Sequence, residues 1–195
     1  MLSVLLALII AYFIGSISFA GIITHYSQLP DLRTQGLGTL SSENVLMVMG
    51  KEKALATILL DGLKGFIVIF IAKSLLNVTG FWLGMTLFLT VIGHLYSVYY
   101  NFRGGNGIAV ALGGLFLMSF WGALILLIAW FAVVIITHYV YLATLLIAIL
   151  MPILMLLFGH FSYFIPTGLI AAVIFWRNMD HFNRIRAGTE ARTNW

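Results

Sequence analysis

Apolar residues run through this chain in long blocks, and polar residues collect in a few stretches between them. A helix needs about 20 apolar residues to cross about 30 Å of hydrocarbon. Leu2–Ile23 is the first such block, interrupted by Gly15, Ser16 and Ser18. It lacks the basic flank and small-residue cleavage site of a signal peptide, so it reads as a retained span. Thr24–Lys53 is the one long polar stretch, carrying Asp31, Arg33, Glu43, Lys51, Glu52 and Lys53. Ala54–Leu76 and Phe81–Tyr100 are the next spans, joined by a turn at Asn77–Gly80, and Asn101–Gly107 is a short glycine-rich polar loop. Ile108–Thr137 holds no charge. As one helix it would be about 45 Å long, so a break is expected at Gly113-Gly114, Ser119 or Gly122. Tyr141–Phe158 and Tyr163–Trp176 complete the spans, and Arg177–Trp195 is a charged tail.

Composition agrees with a bilayer as the solvent. The 195 residues are 62% hydrophobic and 8% charged, with a mean hydropathy of +1.09, whereas a soluble domain is about a quarter charged. A formal charge of +4 spread this thinly makes no nucleic-acid surface. The lack of cysteine removes disulfides, thiolate metal sites and a cysteine nucleophile. Basic residues choose the topology. Seven spans place Arg33, Lys51, Lys53, Arg103, Arg177, Arg184, Arg186 and Arg192 on one face, whereas six would move the tail's arginines across. The expected fold is therefore an all-α polytopic bundle over residues 1–195, with seven spans, the one from Ile108 short or re-entrant. The N-terminus lies outside and the C-terminus in the cytoplasm.

Several polar residues call for more than membrane solvation. Asp61 and Lys64 lie three apart on one face of an intramembrane helix, where ionisable groups cost several kcal/mol and face a bundle interior or a cavity. They read either as a structural ion pair or as ligand-facing groups. His94, near the cytoplasmic end of its span, is either a packed histidine or part of a site. In Phe102-Arg103-Gly104-Gly105-Asn106-Gly107 the glycines can bend successive amides into an anion nest. A helix N-terminus follows, and Arg103 can fork onto phosphate; the bland reading is an interhelical turn. Gly36, Gly38, Ser41, Ser42 and Asn44 form a second glycine-bearing stretch, in which hydroxyls and an amide can bind a ligand or a serine can N-cap a helix. In the tail, Asp180, Asn183 and Arg184 share a helical face. Three polar stretches on one membrane side suggest one shared site. No histidine has an aspartate four residues on, no serine sits in a nucleophile elbow, and no spacing suggests a metal; no cofactor is expected.

Taken together, these segments resemble the acyl-phosphate:glycerol-3-phosphate acyltransferase (PlsY) family of bacterial membranes. Gly15-Ser16-Ile17-Ser18-Phe19 is similar to its first-helix G-S-I-x-F, Asp31-Leu32-Arg33 to D-x-R, and Asp61-Gly62-Leu63-Lys64-Gly65 to D-x-x-K-G. Gly93-His94 matches G-H, Phe102–Ala109 resembles F-K-G-G-K-G-V-A, and Arg177, Asn183-Arg184, Gly188 and Glu190 resemble R-H-R-x-N-x-x-R followed by G-x-E. The resemblance implies acyl transfer from acyl phosphate to glycerol 3-phosphate, giving lysophosphatidic acid, in the bacterial inner membrane. No covalent intermediate is needed, because acyl phosphate is already activated. The glycine-loop amides and Arg103 would hold the acyl-phosphate head. Lys64, His94, Asn44 and Arg184 would line the acceptor site with His94 or His181 as base, and an apolar groove would take the chain.

Departures from the family pattern fall in the same motifs. Leu37, Thr39, Ser41, Ser42 and Glu43 replace most of the first-loop G-S-G-N-x-G-A-T-N, leaving Gly36, Gly38 and Asn44. Met47, Asn106 and Met179 stand where the family carries cations, and His181 where it has asparagine. Each lost charge-assisted hydrogen bond is worth about 1.5–3 kcal/mol. Two alternatives therefore accompany the main reading: acylation of a non-phosphorylated acceptor, and a non-catalytic lipid-binding subunit of another membrane protein.

Overall fold

The computed structural model describes residues 1–190; Arg192, counted above among the topological arginines, lies outside them. The regular structure of the described residues is all helical, with no strand among them. Ten helices follow in chain order: α1 (Leu2–Ser16), α2 (Phe19–Tyr26), α3 (Ser42–Met49), α4 (Lys51–Phe70), α5 (Gly80–Leu95), α6 (Ile108–Met118), α7 (Phe120–Thr137), α8 (Val140–Phe158), α9 (Phe164–Arg177) and α10 (Met179–Arg186). Five continuous stretches are long and apolar enough to cross a membrane: Leu2–Tyr26, Lys51–Leu75, Gly80–Tyr100, Phe120–Thr137 and Val140–Phe158. Two more, Ile108–Met118 and Phe161–Arg177, are apolar but shorter.

The first apolar block is two helices rather than one. Ile17 is extended, and Ser18 caps α2 by accepting from the Gly21 amide at 3.2 Å. Breaking a helix at membrane depth leaves carbonyls without intrahelical donors, and these must be satisfied inside the protein. Ser97 Oγ donates to the Ser16 carbonyl, and Lys64 Nζ to those of Gly15 and Ile17.

The uncharged block breaks at Ser119, whose backbone is extended and whose hydroxyl donates to the Phe158 carbonyl at 2.7 Å. Helix α6, about 16 Å long, is too short to span alone. The glycines proposed as break points pack instead. A Cβ on Gly113 would stand 1.9 Å from the Gly62 carbonyl oxygen, and one on Gly65 2.1 Å from that of Val110. Small residues thus let the backbones of α4 and α6 touch, the usual device for holding helices together in lipid.

Candidate active site

Asn44 shapes the first polar loop. Buried completely, it donates from Nδ2 to the carbonyls of Leu32, Gln35 and Thr39 and accepts from the Leu37 amide at 2.8 Å. Its hydrogen-bonding capacity is used inside the loop, so the expected contact with an acceptor is corrected: Asn44 positions the loop. Gly36, at positive φ, lies so close that a Cβ would be 2.2 Å from Asn44 Oδ1. Gly38 also has positive φ. Ser41 Oγ accepts from the Asn44 amide and N-caps α3. This frame leaves Leu37, Thr39 and Ser41 facing a cavity.

The glycine loop is not the anion nest expected. The Gly104 amide donates to the Leu95 carbonyl at 3.0 Å and the Gly105 amide to that of His94 at 3.2 Å, capping the end of α5. Both glycines are required for closeness: a Cβ would be 1.8 Å from the His94 carbonyl oxygen at Gly104 and 2.4 Å from His94 Nε2 at Gly105. Asn106 Oδ1 accepts from the Ile108 amide at the start of α6, and its Nδ2 donates to Glu43 Oε1 at 2.6 Å. Gly107 takes the positive φ that turns the chain into α6. Arg103 is exposed and does not line this cavity.

Beneath this loop lies the buried cluster of Asp61, Lys64 and His94. Lys64 Nζ is 3.0 Å from Asp61 Oδ1 and 2.9 Å from His94 Nδ1. The Nζ–Oδ1 contact is an ion pair outside hydrogen-bonding angles, so Oδ1 has no well-directed donor. An ammonium only donates, so His94 Nδ1 accepts and the ring proton sits on Nε2, against Gly105. None of the three lines the cavity. Through these contacts they brace the broken first helix and the glycine loop.

The tail closes the cavity from the other side. Asn178 caps α9, donating from Nδ2 to the Ile174 carbonyl at 2.6 Å. His181 stacks on Tyr141 with ring centroids 3.3 Å apart. Glu190 binds both neighbours, Oε1 lying 2.8 Å from His181 Nδ1 and Oε2 accepting from Arg184 Nε at 2.8 Å. Arg184 Nη2 also lies 2.8 Å from His181 Nδ1 and 3.3 Å from Nε2. Burial holds the imidazole below its ordinary pKa, against the opposing pull of Glu190. Asn183 is exposed and outside the wall, so His181 rather than Asn183 joins Asp180 and Arg184 there.

All three polar stretches therefore meet. A cavity of about 150 Å³ is lined by Leu37, Thr39 and Ser41 from the first loop, Gly105 and Asn106 from the glycine loop, and Arg177, Asn178, Asp180, His181 and Arg184 from the tail, with Tyr141 of α8. Arg177 makes no ion pair among the described residues. Beside it runs an apolar groove of about 140 Å³ between α3, α4, α6, α7 and α8, with Glu43, Ser42 and Lys51 as its polar residues. Sequence reasoning singled out neither Tyr141, read as the first residue of a span, nor Glu43 as part of a site. An aromatic residue at the polar end of a span and an acid beside a capping serine were the signals available.

Comparison with known proteins follows this geometry. A family model described as glycerol-3-phosphate acyltransferase matches residues 5–188. A glycerol-3-phosphate acyltransferase of Coxiella burnetii (strain CbuG_Q212) is 40% identical over 186 residues, covering 95% of this chain and 96% of the relative. One from Thioalkalivibrio sulfidiphilus (strain HL-EbGR7) is 35% identical over 183 residues, covering 93% and 90%. Crystal structures of PlsY (YgiH), an integral membrane glycerol 3-phosphate acyltransferase, superpose with a TM-score of 0.92 in the glycerol 3-phosphate form and 0.90 in the lysophosphatidic acid form, at 32% and 30% identity. Each covers 98% of this chain and 96% of the crystallised one. This chain belongs to the glycerol-3-phosphate acyltransferase family.

Proposed function

We propose that this member of the family moves a fatty acyl group from acyl phosphate to glycerol 3-phosphate and releases lysophosphatidic acid and inorganic phosphate. The observation that carries the reading is the junction of a cation-bearing cavity with an apolar groove, because a phosphorylated amphiphile needs both. Arg177 and Arg184 supply guanidinium groups for phosphate oxygens, and Thr39, Ser41 and Asn178 add polar contacts. The groove takes the acyl chain. An acyl phosphate needs no covalent help, so catalysis reduces to positioning an acceptor hydroxyl and stabilising developing charge. Lys64 and His94 act by holding the glycine loop in place. His181, stacked on Tyr141 and braced by Glu190, holds the acceptor.

The two arginines favour a phosphorylated acceptor over a neutral one, and relatives named for glycerol 3-phosphate support the same choice. An assembled cavity argues against a non-catalytic subunit. We read α6 and α9 as the two remaining membrane segments, for seven in all, with the cavity end carrying Arg33, Lys51, Lys53, Arg103, Arg177, Arg184 and Arg186 and the far end Lys73. The positive-inside rule then puts the cavity in the cytoplasm and the N-terminus outside, in the inner membrane of a bacterium. Purified protein given acyl phosphate and glycerol 3-phosphate is expected to release inorganic phosphate and form lysophosphatidic acid. Arg177→Ala is expected to raise KM for glycerol 3-phosphate at least about tenfold, the loss of one charge-assisted bond. Absence of phosphate release above a protein-free control overturns the reading.

A further inference from the structure

Tyr141 belongs to none of the three polar stretches, yet it lines the cavity they build. It is buried at the start of α8, and its neighbour Val140 lines the apolar groove, so Tyr141 stands where the two spaces meet. His181 covers one face of its ring, with 3.3 Å between centroids and 11° between planes. Glu190 and Arg184 hold that imidazole in turn. A phenol clamped in this way keeps its hydroxyl at a fixed point of the wall, which precise recognition requires. The hydroxyl faces those of Thr39 and Ser41. Thr39 Oγ1 and Ser41 Oγ are already partners at 3.0 Å, and Ser41 Oγ also accepts from the Asn44 amide to cap α3. Of these three hydroxyls, the phenol is the one that the first loop does not itself supply and use.

The other polar groups of the wall are committed elsewhere. Arg177 and Arg184 are the cations for a phosphate, Asn106 Nδ2 donates to Glu43, and Asn178 Nδ2 donates to the Ile174 carbonyl. An acyl phosphate lying across both spaces changes from hydrocarbon to phosphate at its carbonyl, so the reacting carbon falls at the seam. Glycerol 3-phosphate with its phosphate at the arginines and its far hydroxyl at that carbon carries its middle hydroxyl between the two. That hydroxyl is neutral and both donates and accepts, as a phenol does. We propose that Tyr141 selects the acceptor by hydrogen-bonding this hydroxyl, the one that does not react. The site then prefers a phosphorylated diol to a phosphorylated alcohol with a single hydroxyl. This rests on the acyl-transfer reading and specifies which part of the acceptor is recognised. The phenol acts in binding alone and takes no proton from the attacking oxygen. A site built around a substrate hydroxyl rejects the analogue that lacks it, because the group meant to meet the hydroxyl is left unpaired.

The test compares glycerol 3-phosphate with 3-hydroxypropyl phosphate, which lacks only the middle hydroxyl. Phosphate release from palmitoyl phosphate is measured with purified full-length wild type, Y141F and T39V in detergent. Wild type is expected to favour glycerol 3-phosphate at least about tenfold in kcat/KM. Y141F keeps the ring and its stacking but loses the hydroxyl. Its ratio is expected to fall to within about threefold of unity, the loss falling on glycerol 3-phosphate and more on KM than on kcat. T39V removes the neighbouring hydroxyl and is expected to lower the ratio less than about threefold. A merely structural role would change both acceptors alike and leave the ratio where it was. Equal use of the two acceptors by wild type, or a Y141F ratio equal to that of wild type, overturns the Tyr141 assignment alone. Should Y141F fail to fold, judged by its thermal transition, T39V decides: a kept ratio supports Tyr141, and a collapsed one gives the contact to Thr39 and overturns the assignment. A wild type that releases no phosphate with either acceptor overturns the acyl-transfer reading, and the inference with it.

Discussion

Two buried polar side chains show how one residue can hold backbone that has no regular partner. Asn44 satisfies three carbonyls and one amide of the first loop, and Lys64 satisfies two carbonyls of the broken first helix. Lys64→Met would strand both carbonyls and leave Asp61 as an uncompensated buried charge, a loss of about 3–5 kcal/mol by analogy with broken buried ion pairs. Thermal unfolding in detergent should show that loss, and the double variant Asp61→Asn/Lys64→Met should recover part of it, because the two residues are coupled. His181 gives a pH-dependent counterpart. Its folded pKa is depressed by burial, so the unfolded chain takes up a proton more readily. Stability from this group is complete above the unfolded value of about 6.5 and is lost as pH falls through the folded one. The transition temperature of wild type should therefore drop more between pH 7.5 and 5.5 than that of His181→Gln; equal drops would remove the imidazole from the account.

At the scale of elements, hydropathy periods reported which segments lie in the membrane but not how they break. The block Leu2–Ile23 looked continuous because Ile17 and Ser18 can both sit in a helix; only the donors of Lys64 and Ser97, far away in sequence, make the kink affordable. Ser119 was one of three break points offered by Ile108–Thr137, and local propensity could not rank them, since Gly113 is as permissive as Ser119 is polar. What decides is that Gly113 is needed elsewhere, where α6 meets α4 at the backbone of Gly62. The capping role of Ser41 was legible because it depends on residues three apart. The fate of the Gly104 and Gly105 amides was not, because it depends on where α5 ends in space. Gly113→Leu should therefore act as a packing lesion rather than a relieved helix breaker. A side chain at 1.9 Å from a backbone carbonyl forces α4 and α6 apart, at a cost of at least about 1–3 kcal/mol. Circular dichroism should show helix content retained and the melting temperature lowered, whereas a rise would place the seam elsewhere.

At the scale of the whole molecule, nearly all the basic residues among those described gather at the end where the cavity opens, and this asymmetry has a consequence beyond phosphate binding. Of the ten Lys and Arg in the chain, Lys64 is buried and Lys73 reaches the carbonyl of Leu117 at the opposite end of α4 from Lys51. Positive loops resist translocation, so in the proposed orientation the same charges that could recruit phosphorylated substrates also keep the cavity in the cytoplasm. The short helices α6 and α9 are compatible with this, since Gly105 before α6 and Arg177 at the end of α9 line one cavity. The chain has no cysteine, so single cysteines introduced at exposed positions report sidedness without background. Cysteines at Arg103 and Asn183 should both react with an impermeant maleimide only after the membrane is opened, and one at Asn77 should react in intact cells. Labelling of Arg103Cys and Asn183Cys on opposite sides would separate the glycine loop from the tail and dismantle the cavity on which the proposed acyl transfer depends.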